Sequence, residues 1–135
     1  MIDTRYAPYG ILLLRVSSGI AFIAHALLKA LVFGMPGAVK FFASIGFPGW
    51  LAYVAVAFEL IGGAMLILGV YGRQVALILG LELLVASSAH WHNGWFFAAK
   101  GGGWEYPVFW ALAMFALVLL GDGAHSLVPS GERRS

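Results

Sequence analysis

The chain has no cysteine, and only 10% of its 135 residues are charged. The first absence excludes disulfides, thiolate nucleophiles and cysteine-ligated clusters. It also removes the usual clue to redox compartment. The second sets the chain apart from soluble domains, of which about 25% of residues are charged. The net charge of +2 is small, and the basic residues form no run or patch, so nucleic acid is not expected as a partner. There is no glycine-rich nucleotide loop on a βαβ unit, no nucleophile elbow and no HExxH. Gly101-Gly102-Gly103 reads as a turn, not a phosphate cradle.

What the chain does have is apolar surface. Hydrophobic residues make up 61% of it and the mean hydropathy is +0.90. A domain this small cannot hide that much apolar area from water, so the expected solvent is the lipid bilayer. Four apolar segments run from about Pro8 to Phe33, Trp50 to Val70, Gln74 to His90 and Tyr106 to Leu120, the last completed by Glu105 and Gly121. A spanning helix needs about 20 apolar residues, and continuous runs without alternation argue for helices over barrel strands. The prediction is an all-α, integral membrane four-helix bundle forming one domain over 1–135, with helices at about 8–33, 50–70, 74–90 and 105–121.

"AHA" at 24–26 imitates a signal-peptidase site. Arg15 inside the would-be apolar region, and apolar sequence continuing to Phe33, favour a retained helix. Arg5, Arg73, Arg133 and Arg134 lie on one side of the spans, Lys40 and Lys100 on the other. The positive-inside rule then puts both termini in the cytoplasm, with segments 34–49 and 91–104 outside. The "YGR" link between spans two and three is very short, so those helices form an antiparallel hairpin. Ten aromatic residues, among them Phe41, Phe42, Trp50, Trp91, Trp104 and Tyr106, gather on the outer side as an interfacial belt or as a stacking site for a ring-shaped ligand. "FFASIGFPGW" and "FFAAKGGGW" resemble each other, which suggests a duplicated two-helix unit or a shared compositional bias.

Arg15, Glu59 and Glu82 stand inside the spans, where a lone charge costs at least about 2.5–3.5 kcal/mol. By helical rise they sit about 10, 16 and 12 Å from the cytoplasmic end. The expectation is that they meet in the interior, with the arginine fork pairing both carboxylates. They would act as an ion-pair lock on helix register, or as a proton or quinol path. On α-helical geometry Arg15, Ser18, Gly19, Phe22, His25, Ala26 and Lys29 share an arc, as do Ala52, Ala55, Glu59, Gly62, Gly63 and Gly69 in span two. Small residues let helices approach closely in lipid. Phe22 would need a gap opposite, which those glycines could supply.

His25 and Lys29 lie on the Arg15 face toward the outside, and His90 ends span three on that side. His92 would point away from His90 on a helix, so the pair makes a poor chelate. Glu105 precedes Pro107 at the start of span four, as an acid near a helix N-terminus often does. Together His25, Lys29, His90 and Glu105 are candidates to ring an outward polar pocket. Its ligand would be anionic, quinone-like or another small molecule. The plainer alternative is interfacial histidines with a snorkelling lysine. Lys29 would repel a cation, so no metal is expected, and bis-His haem through His25 and His90 is weaker still.

"LLLRVSSGIAFIAHALLKAL", "FFASIGFPGWLAYVAVAFELIGGAMLILGVYGR", "HWHNGWF", "GGWEYP" and "GDGAHSL" resemble the DoxX family of small bacterial membrane proteins over roughly residues 10 to 127. The spacing of Arg15, His25 and Lys29, the Glu59-x-x-Gly-Gly and the Gly102-Gly-x-Glu-Tyr-Pro match position by position; Glu82 and His92 do not. The resemblance implies a multi-pass bundle in the bacterial inner membrane. It links the chain to quinol oxidation and thiosulfate:quinone oxidoreduction, to soluble redox enzymes at the membrane, and more distantly to assembly of membrane proteins. The expected function is that of a redox-associated subunit holding a quinone or small redox species, alone or as a homo-oligomer, beside a soluble or membrane catalytic partner. The alternatives are a non-enzymatic scaffold or assembly factor, or a binder of a small amphipathic ligand. No catalytic residue is assigned, and whether the chain is itself an enzyme stays open at this point.

Overall fold

The computed structural model describes residues 1–131; Arg133 and Arg134, half of the cytoplasmic-side count, lie outside the described residues. Every regular element among those described is helical. Helix α1 covers Ala7–Leu27 and continues as a π turn over Leu28–Val32; α2 is Met35–Ser44, α3 Leu51–Leu68, α4 Gly72–Ser88 and α5 Glu105–Leu120, with a 3₁₀ turn at Trp91–Asn93. The four long helices fall within a few residues of the predicted spans. Two of them, Ala7–Val32 and Leu51–Leu68, are long and apolar enough to cross a membrane, and only 28% of the apolar window of each is buried. A core helix of a water-soluble protein would be mostly covered. Here Leu13, Leu31, Ile61, Phe109 and Leu119 all point outward, an outer surface suited to acyl chains.

Helix α2 was not foreseen in the outer segment 34–49, which holds Gly34, Pro36, Gly37, Gly46 and Pro48. Two of these punctuate the helix instead of preventing it. Gly34 takes φ 74°, and Pro36 sits in the first turn, where its missing N–H costs nothing. The helix lies along the π turn and α3. The resemblance between segments 41–50 and 96–104 does not extend to conformation. The first is the end of α2 and its turn, whereas the second is a non-helical loop.

Contacts are uneven. α1 packs closely along α3 and α4 along α5, while α3 and α4, joined by the shortest turn, touch each other far less. Glycine explains the first pairing. A Cβ on Gly19 would lie 2.5 Å from the Gly63 carbonyl oxygen and one on Gly63 would lie 2.7 Å from that of Gly19, so the backbones meet directly. Phe22 finds its room elsewhere than expected: its ring lies 4.1 Å from that of Trp110 on α5, centroid to centroid. Around them Leu66, Val75, Leu79, Leu83, Met114 and Leu117 form the buried core. The buried residues of α1 are Arg15, Ser18, Gly19, Phe22 and Ala26, all on the predicted arc.

Candidate functional site

The mid-span charges do not form the expected triad. Arg15 is 1% exposed, yet it touches neither Glu59 nor Glu82. Its Nε donates to the Leu66 carbonyl at 2.7 Å. One terminal nitrogen donates to the Asp122 carbonyl, and the other to that of Ala124 at 3.4 Å. The physical reason is the chain after α5. It turns back across the helix ends, where the Ala124 N–H donates to Pro8, that of Val128 to Gly69 and that of Tyr71 to Val128. Carbonyls freed at the α3 C-terminus and in this returning segment need donors, and the arginine fork supplies several in one plane. The Asp122 carboxylate accepts from Ser130 N–H at 3.0 Å and Ser130 Oγ at 2.5 Å. "GDGAHSL" was noticed as a family motif, but a residue pattern shows side chains, and the partners of Arg15 are main-chain oxygens.

The partner of Glu59 is instead Lys29, whose Nζ lies 2.6 Å from Oε1 and 2.7 Å from Oε2. Glu59 is almost covered and Lys29 about a quarter exposed. Lys29 lies in the π turn closed by the Phe33 N–H to Leu28 carbonyl bond. Single π turns recur at functional sites because they re-aim side chains. Glu82 stands beside this pair, with its Oε2 buried and without a hydrogen-bond partner.

These three residues open onto one cavity of about 480 Å³, which His25 and His90 also line. Thus His25, Lys29, His90, Glu59 and Glu82 come together, while Arg15 belongs to the opposite end. Glu105 does not line the cavity either; it is the acid of the first turn of α5, and its neighbours Tyr106 and Pro107 reach the site in its place. The rest of the wall is apolar and aromatic: Phe41, Phe42 and Phe47 from α2 and its turn, Phe58 from α3, Tyr106 and Trp110 from α5. Part of the expected aromatic belt is therefore cavity wall. Trp104 in the outer loop instead stacks on Trp91 and meets Trp95 edge to face.

Both histidines are oriented from behind. Nδ1 of His25 donates to the Ala21 carbonyl at 2.9 Å, and its ring lies parallel to Tyr106 and against Trp110. Nδ1 of His90 donates to the Gly101 carbonyl at 3.1 Å, tying the end of α4 to the loop before α5. In the neutral tautomer that these bonds select, Nε2 can accept a hydrogen bond. His92 is exposed in the 3₁₀ turn. Among the described residues no three His, Asp or Glu side chains are grouped to hold a metal ion.

A cavity of this size fits a small ring. It offers a cation, two carboxyl groups and imidazole acceptors, enclosed by aromatic faces. Such a set can hydrogen-bond carbonyl or hydroxyl groups of a ligand and exchange protons with them.

Comparison with known proteins agrees with the residues. The DoxX family model matches residues 10–92, a stretch that holds Arg15, His25, Lys29, Glu59, Glu82 and His90 but ends short of the predicted 127. A protein of Bacillus subtilis named "Putative oxidoreductase CatD" is 47% identical over 77 residues, 57% of this chain and 56% of that protein, so this match spans little more than half of either. An uncharacterized protein of Haemophilus influenzae is 33% identical over 129 residues, 91% of each chain. No solved structure matches the chain. With a family model over more than half its length and a relative aligned over nine-tenths of it, this chain belongs to the DoxX family.

Proposed function

We propose that the chain is a multi-pass membrane protein of redox metabolism that holds the head group of a quinone, or of a small redox-active molecule of similar shape, in the cavity between α1, α3, α4 and α5. The four long helices cross the bacterial inner membrane as a bundle, termini inside. One observation carries the reading: a membrane helix assembly has an open cavity into which a Lys–Glu pair, a buried carboxylate oxygen without a partner and two backbone-oriented histidines project between aromatic walls. Buried polar groups are costly unless paired, so an unpaired one beside an open volume suits a ligand that completes it. The oxidoreductase name of the Bacillus relative supports the redox half.

In this reading His25 accepts from a ring hydroxyl, Lys29 donates to a carbonyl, and Glu82 passes the two protons of reduction in turn, one with each electron. A quinone needs two electrons and two protons to become a quinol. The electrons come from a redox enzyme that meets the protein at the membrane, alongside the monomer or a homo-oligomer.

The test is ligand-induced stabilisation in detergent, since a ligand bound to the folded state raises its melting point. Benzoquinones raise the Tm of the wild-type protein, by several degrees at saturation, and the His25→Ala and Glu82→Gln variants lose most of that rise. A wild-type protein indifferent to every quinone tried, and purified without quinone in its lipid extract, overturns the reading.

A further inference from the structure

The cavity is not sealed on all sides. Where α3 faces α4, its wall is one side chain thick. Phe58, Ile78, Leu81 and Val85 line it, yet each is also about half exposed on the outer surface, at 49%, 51%, 52% and 55%. Along this seam α3 and α4 pack far less closely than α1 with α3 or α4 with α5. A second hollow of about 450 Å³ runs along the same seam from Phe58 past Ile61 and Met65 to Tyr71 and Gln74 near the turn. Phe58 and Ile78 line both hollows, so the polar cavity and the apolar groove are separated by two side chains. From Phe58 to Met65 the groove is about 10 Å long by helical rise.

We infer that the α3–α4 seam is a lateral entrance from the lipid, and that the groove below it is a binding track for the aliphatic tail of a membrane-borne ligand whose polar ring occupies the cavity. The inference rests on the reading of the cavity as a head-group site and adds the class of ligand: one ring with a single long apolar chain, delivered through the bilayer and not from water. Three features point the same way. The thin wall lies on the lipid-facing seam. The groove is apolar almost throughout and meets the polar cavity at Phe58 and Ile78, so one molecule can fill both once those two side chains turn aside. The groove also heads away from the charged pair, so a tail lying in it keeps the ring against Lys29, Glu59 and Glu82. In lipid the tail gains little from the hydrophobic effect. Its contribution is close packing against Phe58, Ile61 and Ile78, contacts that are individually small and add up along the chain.

Two probes test this: 2,3-dimethoxy-5-methyl-1,4-benzoquinone, which has no tail, and its 6-decyl derivative. Apparent Kd values come from titrating the Tm of the full-length protein in one detergent. Each probe is compared between wild type and variant, so its partitioning into micelles cancels. Ile61→Trp and, separately, the milder Ile61→Phe fill the groove from a position that faces outward and does not line the cavity. The expected result is a loss of at least tenfold for the decyl compound, with the tail-less ring changed less than twofold. An unchanged decyl affinity in both variants overturns the tail track and leaves the head site standing; the groove then holds bulk lipid. Equal losses for both probes overturn it too, because the seam is then part of the head site. If neither probe binds wild-type protein, the head-group reading itself fails.

Discussion

At the scale of single residues, the pairing of charges is the finding with most consequence. Lys29 and Glu59 neutralise each other inside a membrane assembly, and removing one partner strands the other. Lys29→Met and Glu59→Gln are each expected to lower stability by about 1–3 kcal/mol, less than a fully buried pair because Lys29 is partly exposed. The double variant should lose less than the two losses added, with a coupling of about 0.5–3 kcal/mol. Unfolding in mixed micelles measures the cycle, and strict additivity would show that the pair does not act as a unit. Arg15 predicts something different. Arg15→Gln loses hydrogen bonds from a charged donor, each worth about 1.5–3 kcal/mol, and frees the returning segment after Gly121. Hydrogen exchange should rise at least several-fold in residues 121–131 while quinone affinity stays within twofold of wild type. Protection unchanged there would mean that the segment is held by its main-chain bonds alone.

At the scale of helices, the α1–α3 contact depends on what is missing at Gly19 and Gly63. Gly63→Ala places a methyl group 2.8 Å from Ile23 Cγ1 and closer still to the Gly19 oxygen, so the helices must separate. The expected cost is about 1–3 kcal/mol. Gly10→Ala is the control: it lies in the same α1, with nothing within 4 Å of the added atom, and should be neutral or stabilise by up to about 1 kcal/mol. Thermal unfolding of the two variants compares a packing effect with a propensity effect. The four long helices were legible because length and hydropathy are local properties. α2 was not, because its ten residues carry no long apolar run and its glycines and proline read as breakers. Its start signal, a proline one residue after Gly34-Met35, was present but weak without knowledge that α3 and the π turn offer a surface to pack on.

At the scale of the whole molecule, two close pairs, α1–α3 and α4–α5, meet loosely along the α3–α4 seam, and this loose fit creates the cavity. The predicted orientation can be tested because the chain has no cysteine to interfere with labelling. In intact cells Lys100→Cys should react with a membrane-impermeant maleimide, while Asp3→Cys should react only after permeabilisation. The reverse pattern would invert the bundle and turn the cavity toward the cytoplasm.

The sequence alone determined the number and placement of the long helices, the apolar outer surface they present and the inward face of α1. Each follows from chain-local physics: apolar length against bilayer thickness, 3.6-residue periodicity, and the cost of exposing charge to acyl chains. Those rules required Arg15, Glu59 and Glu82 to turn inward, but the pairing they suggested, Arg15 with both carboxylates, is not the one that forms. That choice was made by the tertiary structure. The π turn set the aim of Lys29, the return of the chain after α5 brought carbonyl oxygens to Arg15, and the unequal packing of α3 on α4 left Glu82 facing an open volume. Partner selection depends on relative helix register and on main-chain atoms, neither of which is encoded in the identity of any one residue.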